Sequence, residues 1–303
     1  PNGEFYFVTT DNQFPYRIYA AQQDSGTVSI LSRSDFGAIR PEDWYPVSGY
    51  EQGYIFTDPL NPRYVYSHGG GHVITRFDRQ TGQAGPVFWP APDDRFGPRP
   101  GMALSSKDPH WMFVGSQFVY ASSDRITWTR ISGDLTRHDP KTMGTSGGPI
   151  TGDMNGPEVY GVIFSVGPSK KDVNVIWTGS DDGLVHVTKD GGKSWTNVTP
   201  KGMPEFGRVS QIDASAFDAG TAYISVRRPL LDDKSPYLFK TADFGKTWTK
   251  IVNGIRADDW MHAIREDPTR KGLLYAAAQH GVYISYDDGA KWESLALNLP
   301  DVP

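Results

Sequence analysis

One eight-residue pattern returns three times in this chain without a gap. It reads Thr188-Lys-Asp190-Gly-Gly192-Lys-Ser-Trp195, then Thr241-Ala-Asp243-Phe-Gly245-Lys-Thr-Trp248, then Ser285-Tyr-Asp287-Asp-Gly289-Ala-Lys-Trp292. The shared form is Ser/Thr-x-Asp-x-Gly-x-x-Trp. Two degenerate copies lie upstream: Ser122-Ser-Asp124-Arg-Ile-Thr-Trp128 lacks the glycine, and Thr75-Arg-Phe-Asp78-Arg-Gln-Thr-Gly82 keeps only an acidic turn. A chain that restates one signature at intervals is committed to stacking copies of one small unit.

A second signal runs in phase with the first. A turn precedes an apolar β-run at Asp58-Pro59, Asp108-Pro109, Asp172, Asp218 and Asp267-Pro268. The box aspartates fall at 78, 124, 190, 243 and 287, in steps of 46, 66, 53 and 44 residues. A period near 45–50 residues with several short strands per unit predicts propeller blades. The long step has a visible cause, a polar, Gly/Pro-rich insertion over 133–158. A first unit from Tyr16 to about Gly49 has strand character but no box. The reading is therefore an all-β β-propeller of about six four-stranded blades in one domain, with units near 1–49, 50–98, 99–150, 151–203, 204–256 and 257–303. No stretch of 12 or more residues has helical periodicity; Pro41-Glu-Asp-Trp44 is the one short helical candidate. The 33 Gly and 23 Pro are spread along the chain, as a turn-rich fold requires, and 39 aromatic residues supply the core.

Each part of the box has a folding role. Asp accepts backbone N–H bonds inside a tight turn, and Ser or Thr does so more weakly. Gly permits positive φ. Trp opens the next strand and packs between neighbouring blades. The structural set is thus Asp124, Trp128, Thr188, Asp190, Gly192, Trp195, Thr241, Asp243, Gly245, Trp248, Ser285, Asp287, Gly289 and Trp292. The sequence predicts largely buried tryptophans at 195, 248 and 292, and box aspartates that each serve their own hairpin.

The boxes resemble Asp-box, or bacterial neuraminidase, repeats, which occur in sialidases, xyloglucanase-type glycosidases, the sortilin-type receptor propeller and a photosystem assembly factor. The strings Thr10-Asp-Asn-Gln-Phe-Pro-Tyr-Arg-Ile-Tyr19, Ala21-Gln-Gln-Asp24, Ser146-Gly-Gly-Pro-Ile150, Gly179-Ser-Asp-Asp-Gly-Leu-Val-His186 and Arg270-Lys-Gly-Leu-Leu-Tyr275 look most like the large exported bacterial proteins labelled sortilin-like or "glycosyl hydrolase". That resemblance implies a periplasmic or extracellular location, and a segment of a larger propeller or a shortened relative. It implies no activity, because the label follows the repeats.

Charge and composition narrow the partners. Net charge is −5 with no basic stripe, which argues against nucleic acid. No apolar run approaches the ~20 residues of a membrane helix. With no cysteine, disulfides, thiolate catalysis and Cys-ligated zinc are all excluded. Gly144-Thr-Ser146-Gly-Gly148 and His68-Gly-Gly-Gly71 imitate an esterase, but Pro149 blocks the helix that a nucleophile elbow needs. His68 and His72 lack a third zinc ligand at a suitable spacing. Asp181-Asp182 and Asp287-Asp288 lack the alternating oxygen ligands of an EF-type calcium loop. A sialidase needs an arginine cluster, and Arg227-Arg228 is the one doublet. The expectation is a non-catalytic module that binds a protein or polysaccharide, or a scaffold subunit, without cofactor or metal. The alternative is a glycosidase with a carboxylate pair in a groove on one face. Function is expected in the segments that depart from the repeat: Gln22, Gln23 and Asp24; His68 to His72; the 133–158 insertion; and Arg227 and Arg228 with Leu230-Leu231-Asp232-Asp233.

Overall fold

The computed structural model describes residues 3–69, 72–144, 150–152 and 159–300. Among the described residues twenty-four strands form six four-stranded antiparallel sheets, each a meander of consecutive strands. Blade 1 contains Phe5–Thr10, Arg17–Gln22, Gly26–Leu31 and Trp44–Val47; blade 2 contains Ile55–Thr57, Tyr64–Gly69, Val73–Asp78 and Gln83–Phe88. Blade 3 contains Met102–Leu104, Met112–Gly115, Val119–Ser122 and Thr129–Arg130; blade 4 contains Ile163–Pro168, Ile176–Ser180, Val185–Thr188 and Thr196–Asn197. Blade 5 contains Arg208–Ala214, Ala222–Arg228, Asp233–Thr241 and Thr249–Lys250; blade 6 contains Met261–Glu266, Leu274–Ala278, Gly281–Ser285 and Glu293–Ser294. This is a six-bladed β-propeller. Helix among the described residues is confined to three short 3₁₀ turns, Pro41–Asp43, Pro140–Thr142 and Pro229–Leu231; the sequence had indicated the first.

The turn between the first and second strands repeats in every blade. A backbone N–H six residues upstream bonds the carbonyl at the entry to the second strand: Asp11 to Arg17, Asp58 to Tyr64, Ser105 to Trp111, Ser169 to Val175, Ser215 to Thr221 and Asp267 to Leu273. The turn aspartates read from the sequence fall at two places in it. Asp58 and Asp267 hold the first position, whereas Asp108, Asp172 and Asp218 hold the fourth, where serine comes first.

Eight residues after that first position every blade carries an aromatic: Tyr19, Tyr66, Phe113, Trp177, Tyr223 and Tyr275. The first five are at most 3% exposed and each packs into the cluster shared with the next blade. Burying 150–250 Å² per ring makes these the principal apolar contacts between blades.

The boxes lie at the turns between third and fourth strands. Thr188 Oγ1 donates to Asp190 Oδ1 at 2.8 Å and accepts from the Gly192 N–H at 2.9 Å, while the Ser194 N–H donates to Asp190 Oδ1 at 2.9 Å. Asp243 and Asp287 repeat this set within their own hairpins, and Asp124 accepts from the N–H groups of Ile126 and Thr127. These bonds hold the Asp190 carboxyl down to about 2, the Ser194 hydroxyl bond contributing most. Gly192, Gly245 and Gly289 have φ of +96°, +78° and +88°.

The box also joins blades. The indole N–H of Trp128, Trp195, Trp248 and Trp292 donates to the carbonyl of Val87, Ile131, Val198 and Ile251, at 2.8, 2.9, 2.7 and 2.8 Å, each in the preceding blade. The box glycine presses on that same residue: a Cβ at Gly192, Gly245 or Gly289 would stand 2.8, 2.6 or 2.7 Å from a side-chain carbon of Ile131, Val198 or Ile251. Trp292 is buried, and Trp195 and Trp248 are partly buried, packed against the clusters of blades 3 and 4 and of blades 4 and 5.

Five clusters of buried apolar residues join blade 1 to 2, 2 to 3, 3 to 4, 4 to 5 and 5 to 6. Among the described residues none joins blade 6 to blade 1. On blade 6 the last aromatic of the series, Tyr275, is partly exposed, as are Ala277 and Val282, whose blade 5 counterparts Ser225 and Leu238 are both 0% exposed. On blade 1, Trp44 holds the register of the box tryptophans opposite Ile30, yet it is 45% exposed, and Val8 is 62% exposed.

Candidate functional site

The meander sorts the loops. The turns between first and second strands, and between third and fourth, lie at one end of the propeller. The loops between second and third strands, and the blade-to-blade connections, lie at the other. The boxes therefore occupy one end. The described parts of the four departures from the repeat occupy the opposite end: the second-to-third loops of blades 1, 2 and 5, and the connection from blade 3 to blade 4.

A cleft of about 890 Å³ opens there. Arg99, Tyr160, Arg208, Trp260 and His262 come from the entries to first strands of blades 3 to 6, and Asp181, Arg227 and Gln279 from second strands and the loops after them. Pro229, Leu230, Leu231 and Phe206 form apolar walls, Glu4 and Thr142 complete the lining, and Leu230 is 84% exposed at the lip.

Arg99, Arg208, Arg227 and Arg228 all line this cleft, and the first three lie near one another. Arg208 and Arg227 are direct cross-strand partners. Arg208 and Arg99 both lie over the Phe164 ring, at 4.9 and 5.8 Å, and Arg99 also lies 5.1 Å from the centre of the Tyr6 ring. Burial first, then Arg208 and Arg99, push Arg227 down to about 10. Its NH1 meets His262 Nδ1 at 2.9 Å, and His262 Nε2 meets Gln279 Oε1 at 3.1 Å. An always-protonated guanidinium can only donate, so His262 Nδ1 accepts and Nε2 carries the hydrogen towards Gln279. Burial, and then Arg227, lower the His262 pKa, which keeps the ring neutral. The chain Gln279–His262–Arg227 thus fixes the guanidinium from behind. Beside it, burial pushes the Asp181 carboxyl up to about 7, although Asp181 Oδ1 accepts the N–H groups of Gly161 and Val162 at 3.0 and 2.9 Å.

Of the residues singled out in the sequence, Arg227 and Arg228 line the cleft, joined by Leu230, Leu231 and, from the insertion, Thr142. Arg228 is otherwise engaged, with Nε donating to the Glu205 carbonyl at 2.8 Å and NH1 lying 3.8 Å from Asp233 Oδ2. The insertion is anchored through Arg137, whose N–H and Nε donate to Asp182 Oδ2 and the Asp182 carbonyl at 2.8 and 2.7 Å. Gln22, Gln23 and Asp24 do not line the cleft, but the Gln23 N–H donates at 3.0 Å to the carbonyl of Glu4, which does, and Gln23 Oε1 accepts from the Tyr6 hydroxyl; Gln23 Nε2 donates to Asp24 Oδ1 at 3.2 Å, and the Asp24 N–H donates to Glu51 at 2.8 Å. His68 is 3% exposed against Phe96, its pKa lowered to about 4 by burial, and His72 packs edge-on to the same ring. His68 is interior and His72 partly buried, and neither lines the cleft. Thr145 to Pro149, including Ser146, lie outside the described residues, as do Gly70 and Gly71.

Arg99, Tyr160, Phe206, Arg208, Trp260, His262 and Gln279 were not read as site residues, and Asp181 was weighed only as a calcium ligand. A usable signal existed: once the boxes phase the strands, the entries to first strands can be numbered, and Arg99, Arg208 and His262 fall there. Among the described residues no group of three or more His, Asp or Glu is placed to hold a metal ion, and no helix is long and apolar enough to cross a membrane. A groove of about 1060 Å³ lies at the box end, along Asp11, Asp58 and Ser105. Its carboxylates serve the fold: Asp11 accepts the Arg17 N–H at 2.9 Å and the Tyr19 hydroxyl at 3.0 Å.

The fold is shared with solved propellers. The GH74 xyloglucanase from Xanthomonas campestris is similar at a TM-score of 0.59 and 18% identity, over 92% of this chain and 43% of its own. An ancestral GH74 enzyme is similar at 0.67 and 14%, over 97% of this chain and 39% of its own. The chain thus spans less than half the length of either. YCF48 from Cyanidioschyzon merolae is similar at 0.57 and 16%, over 97% of this chain and 85% of its own. At these identities the likeness shows the fold alone. No family model and no curated protein matches the sequence.

Proposed function

We propose that this chain is an exported, non-catalytic propeller that binds a protein partner or a glycan, or serves as a scaffold subunit, through the end that carries the cleft. One observation carries the reading. The box end repeats one self-satisfied turn, whereas the other end carries the non-repeated loops, two of which, the insertion through Thr142 and the blade 5 loop, line a cleft with arginines and exposed leucines. Binding residues concentrate on variable loops held by a rigid scaffold. The test is site-directed photocrosslinking in the native host, with the reactive side chain at Leu230 or, as control, at Lys246 in a box turn. A macromolecular adduct at Leu230 and none at Lys246 is expected; equal labelling at both ends sinks the assignment.

Asp181 favours a second reading, that of a glycosidase, since a carboxyl held protonated near neutrality can act as a general acid. Its required partner would be Glu4, the other carboxylate of the cleft. Release of reducing ends from xyloglucan or of sugar from a sialoside, lost in both Asp181→Asn and Glu4→Gln, would establish the enzyme and displace the binding module.

A further inference from the structure

We propose that the uncovered boundary between blades 6 and 1 is a receptor for one further four-stranded blade of this repeat, from outside these 303 residues. It is a different surface from the cleft and does not depend on what the cleft binds. The contrast is sharpest at one position. Three residues before the turn that joins its first and second strands, each blade places an apolar side chain on the face that meets the preceding blade. Ile55, Met102, Val166, Ile212 and Ile264 hold that position in blades 2 to 6 and are at most 7% exposed. Each shares a cluster with the aromatic of the blade before it: Tyr19, Tyr66, Phe113, Trp177 and Tyr223 in turn. Val8 holds the position in blade 1 and is 62% exposed. Direct packing of blade 6 on blade 1 would seat Val8 on Tyr275, yet both keep contact with water. Phe5 repeats the contrast, exposed where its counterparts Val209 and Met261 are fully buried.

The indole bonds describe the occupant. At four of the five internal boundaries a tryptophan holds a carbonyl of the preceding blade. Trp44 stands at that register in blade 1 with no preceding carbonyl to hold. At the other edge, the Leu295 N–H donates to the Val282 carbonyl at 2.7 Å, as the Ile251 N–H does to the Leu238 carbonyl at 2.9 Å. Leu295 therefore occupies the place of a clasped residue, and no indole reaches it among the described residues. The occupant must present an aromatic and a free carbonyl to blade 1, and an aliphatic face with a tryptophan to blade 6. A helix does not meet this, because its mid-element carbonyls are bonded internally. The outermost strand of a blade keeps a row of backbone groups free. A second copy of the chain fits poorly as well. Its blades 1 and 6 each have one face covered by their own neighbour, so either would cover one side of the boundary and leave the other wet. A single box-bearing blade covers both, and gains the apolar burial that every internal boundary has.

The chain has no cysteine, so one introduced thiol reports on one place. Val8→Cys is made in the whole chain, with Ile212→Cys, at the same register in blade 5, as the covered control. The probe is the chain's own last unit, a second copy of residues 252–300 joined to the C-terminus. In the six-blade chain Val8→Cys should react with a maleimide about tenfold or more faster than Ile212→Cys, at a rate independent of protein concentration. In the seven-blade chain that rate should fall by about tenfold or more. Val282→Asp in the appended copy, which turns a charge towards blade 1, should restore it. A slow Ile212→Cys reports that each chain is folded. Val8→Cys already protected in the six-blade chain means that blades 6 and 1 close on each other, and overturns the proposal. Protection that grows with concentration makes a second copy the occupant, and overturns it too. So does a thiol that stays fast in a folded seven-blade chain, or one slowed equally by the Val282→Asp copy. None of these outcomes touches the reading of the cleft, which fails separately if crosslinking at Leu230 matches the Lys246 control.

Discussion

Asp181 shows how a single group can set the pH response of this fold. Its ordinary value is 3.8 and burial raises it to about 7, so the folded chain holds a proton that the unfolded chain has released. The stability it contributes is present in full below about pH 4 and is lost as pH rises to about 7. His68 and His186 work in the opposite sense. Burial lowers both from 6.5 to about 4, so their contribution is present above pH 6.5 and is lost as pH falls. In the parent these slopes oppose each other between pH 4 and 7. Asp181→Asn keeps an acceptor for the Gly161 and Val162 N–H groups and removes one slope. The variant should exceed the parent at pH 8 by up to a few kcal/mol and match it near pH 4 in urea melts. A variant no more stable than the parent at pH 8 would contradict the buried acid. Gly192 makes a second residue-scale case. With φ at +96° and Ile131 carbon and oxygen atoms 2.8 Å from where a Cβ would stand, Gly192→Ala should cost about 2 kcal/mol or more.

At the scale of the element, the box does two jobs with one set of residues. Its Asp and Ser/Thr close the hairpin, while its Gly and Trp clasp the side chain and the carbonyl of one residue in the preceding blade. Trp292→Ala should therefore cost about 3–5 kcal/mol, losing both packing and the bond to Ile251. Trp44→Ala, at the same register in blade 1 but 45% exposed, should cost less than about 0.5 kcal/mol in the same melts. Equal losses would show that register alone, and not the neighbouring blade, decides the contribution. The box and its period were legible in the sequence because turn chemistry is local: Asp, Gly and Trp announce a hairpin whatever surrounds it. The cleft was legible only in part: the Arg227-Arg228 doublet stood out, whereas Arg99 and Arg208 join it by blade-to-blade packing that is recorded only in the phase of the strands. His68 misled for a related reason. Beside three glycines it reads as a loop residue, yet its alternation along the second strand of blade 2 turns it inward onto Phe96.

At the scale of the whole molecule, the six blades are joined, among the described residues, by five apolar interfaces. Stability in repeat architectures is close to a sum of unit and nearest-neighbour terms. Blades 2 to 5 each have two such neighbours; blades 1 and 6 have one. Amide hydrogen exchange should consequently be fastest in the first strands of blades 1 and 6, and slowest in Ile163–Pro168 and Arg208–Ala214. Uniform protection around the ring would mean that the boundary between blades 6 and 1 is held as firmly as the others.

That boundary runs through the cleft. Glu4 belongs to blade 1, while Trp260, His262 and Gln279 belong to blade 6, and all four face the same space. A guest seated there would span the break as a keystone spans an arch, coupling its own affinity to the cohesion of the two terminal blades. Occupancy would then be recorded far from the guest, as slower opening along the outer edges of both.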